Sequence, residues 1–201
     1  MRLFRPWLLF RLLYPGALFR IKTRKKILCL TFDDGPDPIS TPAILEILDK
    51  YYVRAFFFCS GEAAEKYPQL VGEIRNRGHI IGNHGYNHSD GWNTPAEKYC
   101  NGVKSAAVFT SDRYFRPPYG HLRLKQFRNL RRTYKIIFWD IMPYDFDPEV
   151  GAEGSLRLLE KKIKPGSVIV LHDSPVSSCR DFLEDFIESS INKGFSFEVT
   201  I

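Results

Sequence analysis

Ile27-Leu28-Cys29-Leu30-Thr31-Phe32-Asp33-Asp34-Gly35-Pro36-Asp37-Pro38 decides the fold. The apolar run from Ile27 to Phe32 makes a short strand, and two adjacent carboxylates at its end lead into a Gly-Pro turn. Carboxylates this close repel when both are ionised, so one must be protonated, paired or bound to a cation. Strand tips are where α/β folds gather reactive groups.

Working outward, strands and helices alternate. Thr41-Pro42 reads as an N-cap with a proline at the first helical position, opening a helix with Ile44, Leu45, Ile47 and Leu48 inward. Ala55-Phe56-Phe57-Phe58 is a continuous apolar strand of the doubly buried kind. A helical stretch over 62–77 leads to a short strand, His79-Ile80-Ile81-Gly82. Thr94-Pro95-Ala96-Glu97 has the pattern of a capping box, opening a helix to Phe109. Tyr114-Phe115, Ile136-Ile137-Phe138-Trp139, Val168-Ile169-Val170-Leu171 and 195–199 read as further strands, with helices over 121–132, 153–163 and 180–192 and a glycine cap at Gly194. Repeated βα units without a Gly-rich phosphate loop favour a barrel over a dinucleotide-binding fold.

The chain of 201 residues fits one domain, and its 44% hydrophobic and 26% charged residues are those of a globular protein. Cys29, Cys59, Cys100 and Cys179 have neither CxxC nor metal-finger spacing, so free thiols are expected. Of the 29 Lys and Arg, eight lie in residues 1–26 with no acid among them, which leaves 21 against 23 acidic side chains beyond. The net charge of +6 thus belongs to an N-terminal arm, 1–26, preceding a nearly neutral body, 27–201. A nucleic-acid partner wants a basic stripe on a folded face and is not expected. Phe4, Trp7, Leu8, Leu9, Phe10, Leu12, Leu13 and Phe19 make the arm apolar as well, yet Arg5, Pro6 and Arg11 interrupt it too often for a membrane span. The arm either packs its aromatics on the domain with its cations in water, or anchors peripherally on anionic lipid. Without a secretory signal the cytoplasm is the default location, although a cell-wall substrate would argue against it. The sequence does not specify an oligomeric state.

The candidate reactive residues each have a plainer explanation. Asp33-Asp34 alone is equally a turn with an Asx bond. His84 and His88, four apart, would share a face if locally helical, but two surface imidazoles read the same way. Arg116 alone suits a surface ion pair, Pro117-Pro118 a rigid loop, and His172 a core histidine with a backbone partner. Together the plain explanations weaken, because each polar group follows an apolar strand and would collect at one end of a parallel barrel. One carboxylate and two imidazoles suit a divalent cation, zinc first, with open positions for water and substrate. The other carboxylate is then free to act as a general base. No GxSxG is present and no cysteine falls in these motifs, so a side-chain nucleophile is not needed.

Thr31-Phe32-Asp33-Asp34-Gly35-Pro36, Asn83-His84-Gly85-Tyr86-Asn87-His88, Arg116-Pro117-Pro118-Tyr119, Trp139-Asp140 through Asp145, and Leu171-His172-Asp173 occur in an order that resembles the NodB-homology polysaccharide deacetylases, carbohydrate esterase family four. The resemblance spans roughly residues 27–175. It implies a distorted (β/α) barrel of about seven parallel strands and a metal-dependent removal of acetyl groups from a glycan, N-acetyl ahead of O-acetyl. By position it implies Asp33 as base and Asp34, His84 and His88 as ligands of a divalent metal, zinc ahead of cobalt, nickel or manganese. Arg116 would hold Asp33, the Tyr119 backbone N–H would bind the oxyanion, Leu171 would line the methyl pocket, and His172 would be the general acid. Asp145 matches the position that orients His172, with Asp140 open as the alternative tether. Pro117, Pro118, Trp92 and Phe146 are candidates for the substrate-facing surface. Two departures stand out: Met142 and Phe146 replace an acid and a tryptophan common in the family, and Gly85 replaces a hydroxyl residue after the first histidine. Other readings are a non-catalytic glycan-binding descendant of the fold, or an amidase acting on a small molecule or a lipid headgroup.

Overall fold

Every other residue of the first strand points into a barrel, and the alternate set meets helices. The computed structural model describes residue 5 and residues 8–199. Strands β1 (Ile27–Asp33), β2 (Phe56–Cys59), β3 (Ile80–Asn83), β4 (Tyr114–Phe115), β5 (Lys135–Ile136) and β6 (Val168–His172) are all parallel, in the order β5-β4-β3-β2-β1-β6. Strand β7 (Ser196–Phe197) pairs in parallel with the start of β1. Ile141, beyond β5, bridges to Ile169 of β6 and brings the two edges of the sheet together. This is the distorted parallel (β/α) barrel that the family resemblance implies, and the alternation of elements favours a barrel.

The helices are α1 (Leu8–Leu13), α2 (Ser40–Lys50), α3 (Gly61–Lys66), α4 (Pro68–Asn76), α5 (Ala96–Ala106), α6 (Leu124–Leu130), α7 (Gly151–Lys162) and α8 (Cys179–Asn192). Leu28, Leu30, Phe32, Phe57, Ile169 and Leu171 face outward and join Leu45, Leu159, Phe182 and Phe186 of the helices in the main core. The opposite set, Cys29, Phe56, Phe58 and Val168, fills the barrel interior with Ile137. Gly82 follows from that filling: a Cβ there would lie 2.3 Å from the Phe58 ring. The four cysteines are free and buried.

Several local expectations are corrected. The helix expected over 62–77 is two helices, broken at Tyr67-Pro68, where proline has no N–H to give. Helix α2 starts before Thr41 because the Asp37 carboxylate accepts from the N–H groups of Ile39 and Ser40. The Thr41 hydroxyl turns instead to the Asp37 N–H and to Asp173. No capping box forms at Thr94: Pro95 is the extended N-cap of α5 without a side-chain cap, and the Thr94 carbonyl accepts from Gln126.

The arm packs on the barrel. Tyr14 and Phe19 are buried with Phe138 and Phe127, and Phe10 rests against them, while Leu12 and Leu13 face outward. Leu18 bridges to Ile137 and Arg20 to Ser167. Arg2, Phe4 and Trp7 and the side chains of Leu8 and Leu9 lie outside the described residues. Among the described residues no helix is long and apolar enough to cross a membrane.

Candidate active site

Period two along the strands selects which residues reach the mouth of the barrel. Asp33 continues the inward set Cys29 and Thr31, and His172 continues Val168 and Val170. Asp33 pairs in register with His172 across β1 and β6, and His84 follows the end of β3. These groups open on a cleft of about 420 Å³ lined by Asp33, Asp34, His84, His88, Tyr119 and His172 among others. Among the described residues five non-glycine residues hold a positive φ, and three of them line this cleft: Asp34 at 79°, His88 at 50° and Tyr119 at 58°. Backbone strain of this kind persists where the surroundings over-determine it.

Among the described residues Arg116 is the largest fully buried side chain, and all three of its nitrogens find acceptors. Nη1 donates to Asp33 Oδ1 at 2.7 Å and to the Thr31 hydroxyl at 2.6 Å. Nη2 donates to the Phe138 carbonyl at 2.9 Å and Nε to that of Ile137 at 3.2 Å. The guanidinium lies 4.2 Å over the Phe58 ring. A buried ion pair is tolerable only when its remaining donors are satisfied in this way. Asp33 is thereby fixed at one oxygen, while its other, Oδ2, lies 3.8 Å from His84 Nε2.

The histidines converge without the helix that their spacing would allow. Residues 84–88 form a loop, turned by Gly85 at φ 78° and His88 at φ 50°. His84 Nδ1 lies 2.9 Å from the Arg116 carbonyl, so Nδ1 carries the proton and Nε2 presents a lone pair. Burial lowers the His84 pKa to about 4, against the pull of Asp33, which keeps the ring neutral. Asp34 Oδ1 lies 3.6 Å from His84 Nε2 and 3.2 Å from His88 Nε2, and ligand atoms of the three residues all fall within 4.8 Å of one another. Burial alone would raise the Asp34 pKa, but His88, His84 and His172 outweigh it and hold the carboxylate well below its usual range. Asp34 Oδ1 is also buried without a hydrogen-bond donor in good geometry. An ionised carboxylate with an unsatisfied buried oxygen, the neutral His84 ring and the His88 ring beside it fit a divalent cation of the zinc class.

On the other wall, His172 Nδ1 lies 2.9 Å from Asp145 Oδ1. The Asp145 Oδ2 accepts from the His172 backbone N–H at 2.7 Å and from the Ser177 hydroxyl at 2.6 Å. Burial would lower the His172 pKa; Asp145, with Asp34 and Asp33 behind it, reverses this and raises it to about 9. The imidazolium can therefore deliver a proton from Nε2 at neutral pH. Asp140 is not brought to His172: its buried carboxylate accepts from Ser167 at 2.7 Å and from Arg11 at 3.1 Å.

Leu171 is corrected as well. It sits at 0% exposure in the helix-facing core, and Val170 is the apolar β6 residue that lines the cleft, with Trp139 and Met142. Pro117 and Phe146 do line it, and the Phe146 ring stands edge-on to His172 at 4.8 Å. Pro118 instead borders a neighbouring groove with Gly85 and Tyr99. Trp92 is half exposed and stacks flat on His121, 3.5 Å between centroids, and His121 is itself a cleft residue. The sequence reading also passes over Asp173, where burial, opposed by Thr41 and aided by Asp37 and Asp34, raises the pKa to about 7. Its Oδ2 lies where a Cβ on Gly35 would come within 2.3 Å, so that glycine lets the carboxylate buttress the turn after Asp34.

A family model described as polysaccharide deacetylase matches residues 20–136. A peptidoglycan-N-acetylglucosamine deacetylase of Bacillus cereus is 34% identical over 183 residues, which are 86% of this chain and 66% of that one. A chitooligosaccharide deacetylase of Azorhizobium caulinodans is 30% identical over 79% of each chain. The crystal structure of a peptidoglycan N-acetylglucosamine deacetylase superposes with a TM-score of 0.88 at 30% identity, covering 96% of this chain and 94% of its own.

Proposed function

The chain belongs to the polysaccharide deacetylase family, and from that premise we propose that it hydrolyses acetyl groups from a glycan, N-acetyl in preference to O-acetyl. The observation that carries the reading is the convergence of Asp34, His84 and His88 beside an Asp33 clamped by buried Arg116. Relatives named for N-acetylglucosamine and chitooligosaccharide support the amide over the ester.

Asp34, His84 and His88 would hold the cation, zinc first. When bound there, it supplies Lewis acidity and brings the pKa of its water to about 7. Asp33 takes the proton of the attacking water through the oxygen that Arg116 leaves free. Arg116 keeps Asp33 aimed, holding its Oδ1 at 2.7 Å. The Tyr119 backbone N–H donates to the oxyanion that forms on the acetyl carbonyl, a contact worth about 3 kcal/mol. His172 then gives its Nε2 proton to the leaving amine as the C–N bond breaks, while Asp145 stabilises the imidazolium through Nδ1. Val170, Trp139 and Met142 form the apolar wall available to the methyl group.

The test is acetate release from chitin oligomers, peptidoglycan fragments and acetylated xylan, before and after chelation and with zinc, cobalt or nickel restored. Release that chelation stops and metal restores supports the reading. No release from any of the three substrates refutes it.

A further inference from the structure

The apolar, basic arm meets the barrel at its weakest seam. After β5 the chain diverges from β6 until Ile141 rejoins it at Ile169, and residues of the arm fill the space between. Leu18 donates its N–H to the Ile136 carbonyl at 2.9 Å, and its own carbonyl accepts from Phe138 N–H at 2.8 Å. On the far side, Ile21 N–H donates to Gly166 O at 2.8 Å and Arg20 donates twice to the Pro165 carbonyl. Phe19 stacks on Phe138 with 4.7 Å between centroids and 3° between planes. Arg11 and Arg5 reach Asp140 at 3.1 and 3.4 Å, and Ser167 closes the cluster at 2.7 Å.

What the arm grips is the stretch that holds Arg116. The carbonyls of Ile137 and Phe138 take two of its donors, and Asp33 and Thr31 share a third nitrogen. A shift of residues 137–140 would therefore reach Asp33 through one rigid, planar side chain. Arg11, Leu18 and Phe19 precede the stretch that the family model matches, so this support lies outside the shared motifs.

We propose that the N-terminal arm is a positioning element for the catalytic base, acting through the Arg11–Asp140 pair and the Leu18–Phe138 and Phe19–Phe138 contacts on the segment that fixes Arg116. The inference rests on the reading of Asp33 as base. Loss of Arg11 leaves the buried Asp140 short of a partner and frees the segment to move.

The experiment uses full-length Arg11→Ala and Arg11→Lys, with Phe19→Leu as a milder probe if Arg11→Ala does not fold. Two readouts are taken well below Tm: hydrogen exchange of the Arg116 Nε–H by NMR, and kcat and KM for acetate release from chitin oligomers. Arg11→Ala is expected to speed the exchange about tenfold, equivalent to about 1.4 kcal/mol, and to lower kcat by a similar factor with KM nearly constant. Arg11→Lys recovers most of both. Exchange and kcat at parental values in a folded variant, with only Tm reduced, overturn the inference. If the parent protein releases no acetate, the functional reading fails by itself, and the exchange measurement still decides whether the arm holds Arg116.

Discussion

Replacing Asp145 by Asn tests the proton donor without emptying its site. Asp145 Oδ1 meets His172 Nδ1, and Asp145 Oδ2 takes the His172 and Ser177 donors, so the amide can keep the shape while losing the charge. That charge is the main lift, with Asp34 and Asp33 behind it, that takes His172 from 6.5 to about 9 against burial. A lift of this size corresponds to about 3 kcal/mol favouring the imidazolium. If Asn returns His172 to its ordinary value, the protonated fraction at pH 8 falls from about nine-tenths to about three in a hundred. The expected loss in kcat is then about thirtyfold at pH 8 and less than about 1.5-fold at pH 6. The sign also runs through stability: a histidine whose pKa is raised on folding stabilises fully below about 6.5, and this contribution is lost as pH rises through about 9. The assay is the pH profile of kcat for acetate release, paired with NMR titration of His172 in both proteins. An alkaline limb at the same pH in parent and variant would refute the assignment of His172 and Asp145 as acid and tether.

Three further substitutions separate the roles of neighbouring residues. Leu171→Ala should lower Tm by about 5–15 °C, as a cavity in the helix-facing core does, and spare KM; Val170→Phe, which also overpacks a buried position, should reduce kcat/KM on acetylated substrate in a variant that still folds, and steady-state kinetics beside thermal melts distinguish the two. Trp92→Ala should reduce kcat/KM about tenfold more for a tetramer than for a dimer of N-acetylglucosamine, because Trp92 stacks on the cleft residue His121 and adds to the cleft wall. Equal losses at both lengths would remove Trp92 from the binding surface.

The barrel was legible because inward and outward residues alternate along each strand, and the polar groups sit where the apolar runs stop. The same alternation bears on an individual residue: counting back by two from His172 reaches Val170 and skips Leu171. Gly85 signals that the histidine segment turns rather than winds, since its φ of 78° interrupts any helix between His84 and His88. The choice between Asp140 and Asp145 was not legible. It depends on Arg11, 129 positions away, and on Ser167, both of which claim Asp140 through contacts that no local pattern announces. Thr41 misled for a related reason, because Asp37 caps the helix and leaves its hydroxyl for Asp173. Short-range patterns placed the groups, and long-range partners assigned their work.

The adjacent carboxylates should be separable by one substitution. Asp33→Asn leaves Asp34, His84 and His88 unchanged and removes the base together with the charge facing Arg116, so in a folded variant zinc binding by calorimetry should stay within a few-fold of the parent while acetate release falls by at least about a hundredfold. Loss of zinc affinity in parallel with activity, or activity that persists with zinc bound, would contradict the division of Asp33 and Asp34 into base and ligand.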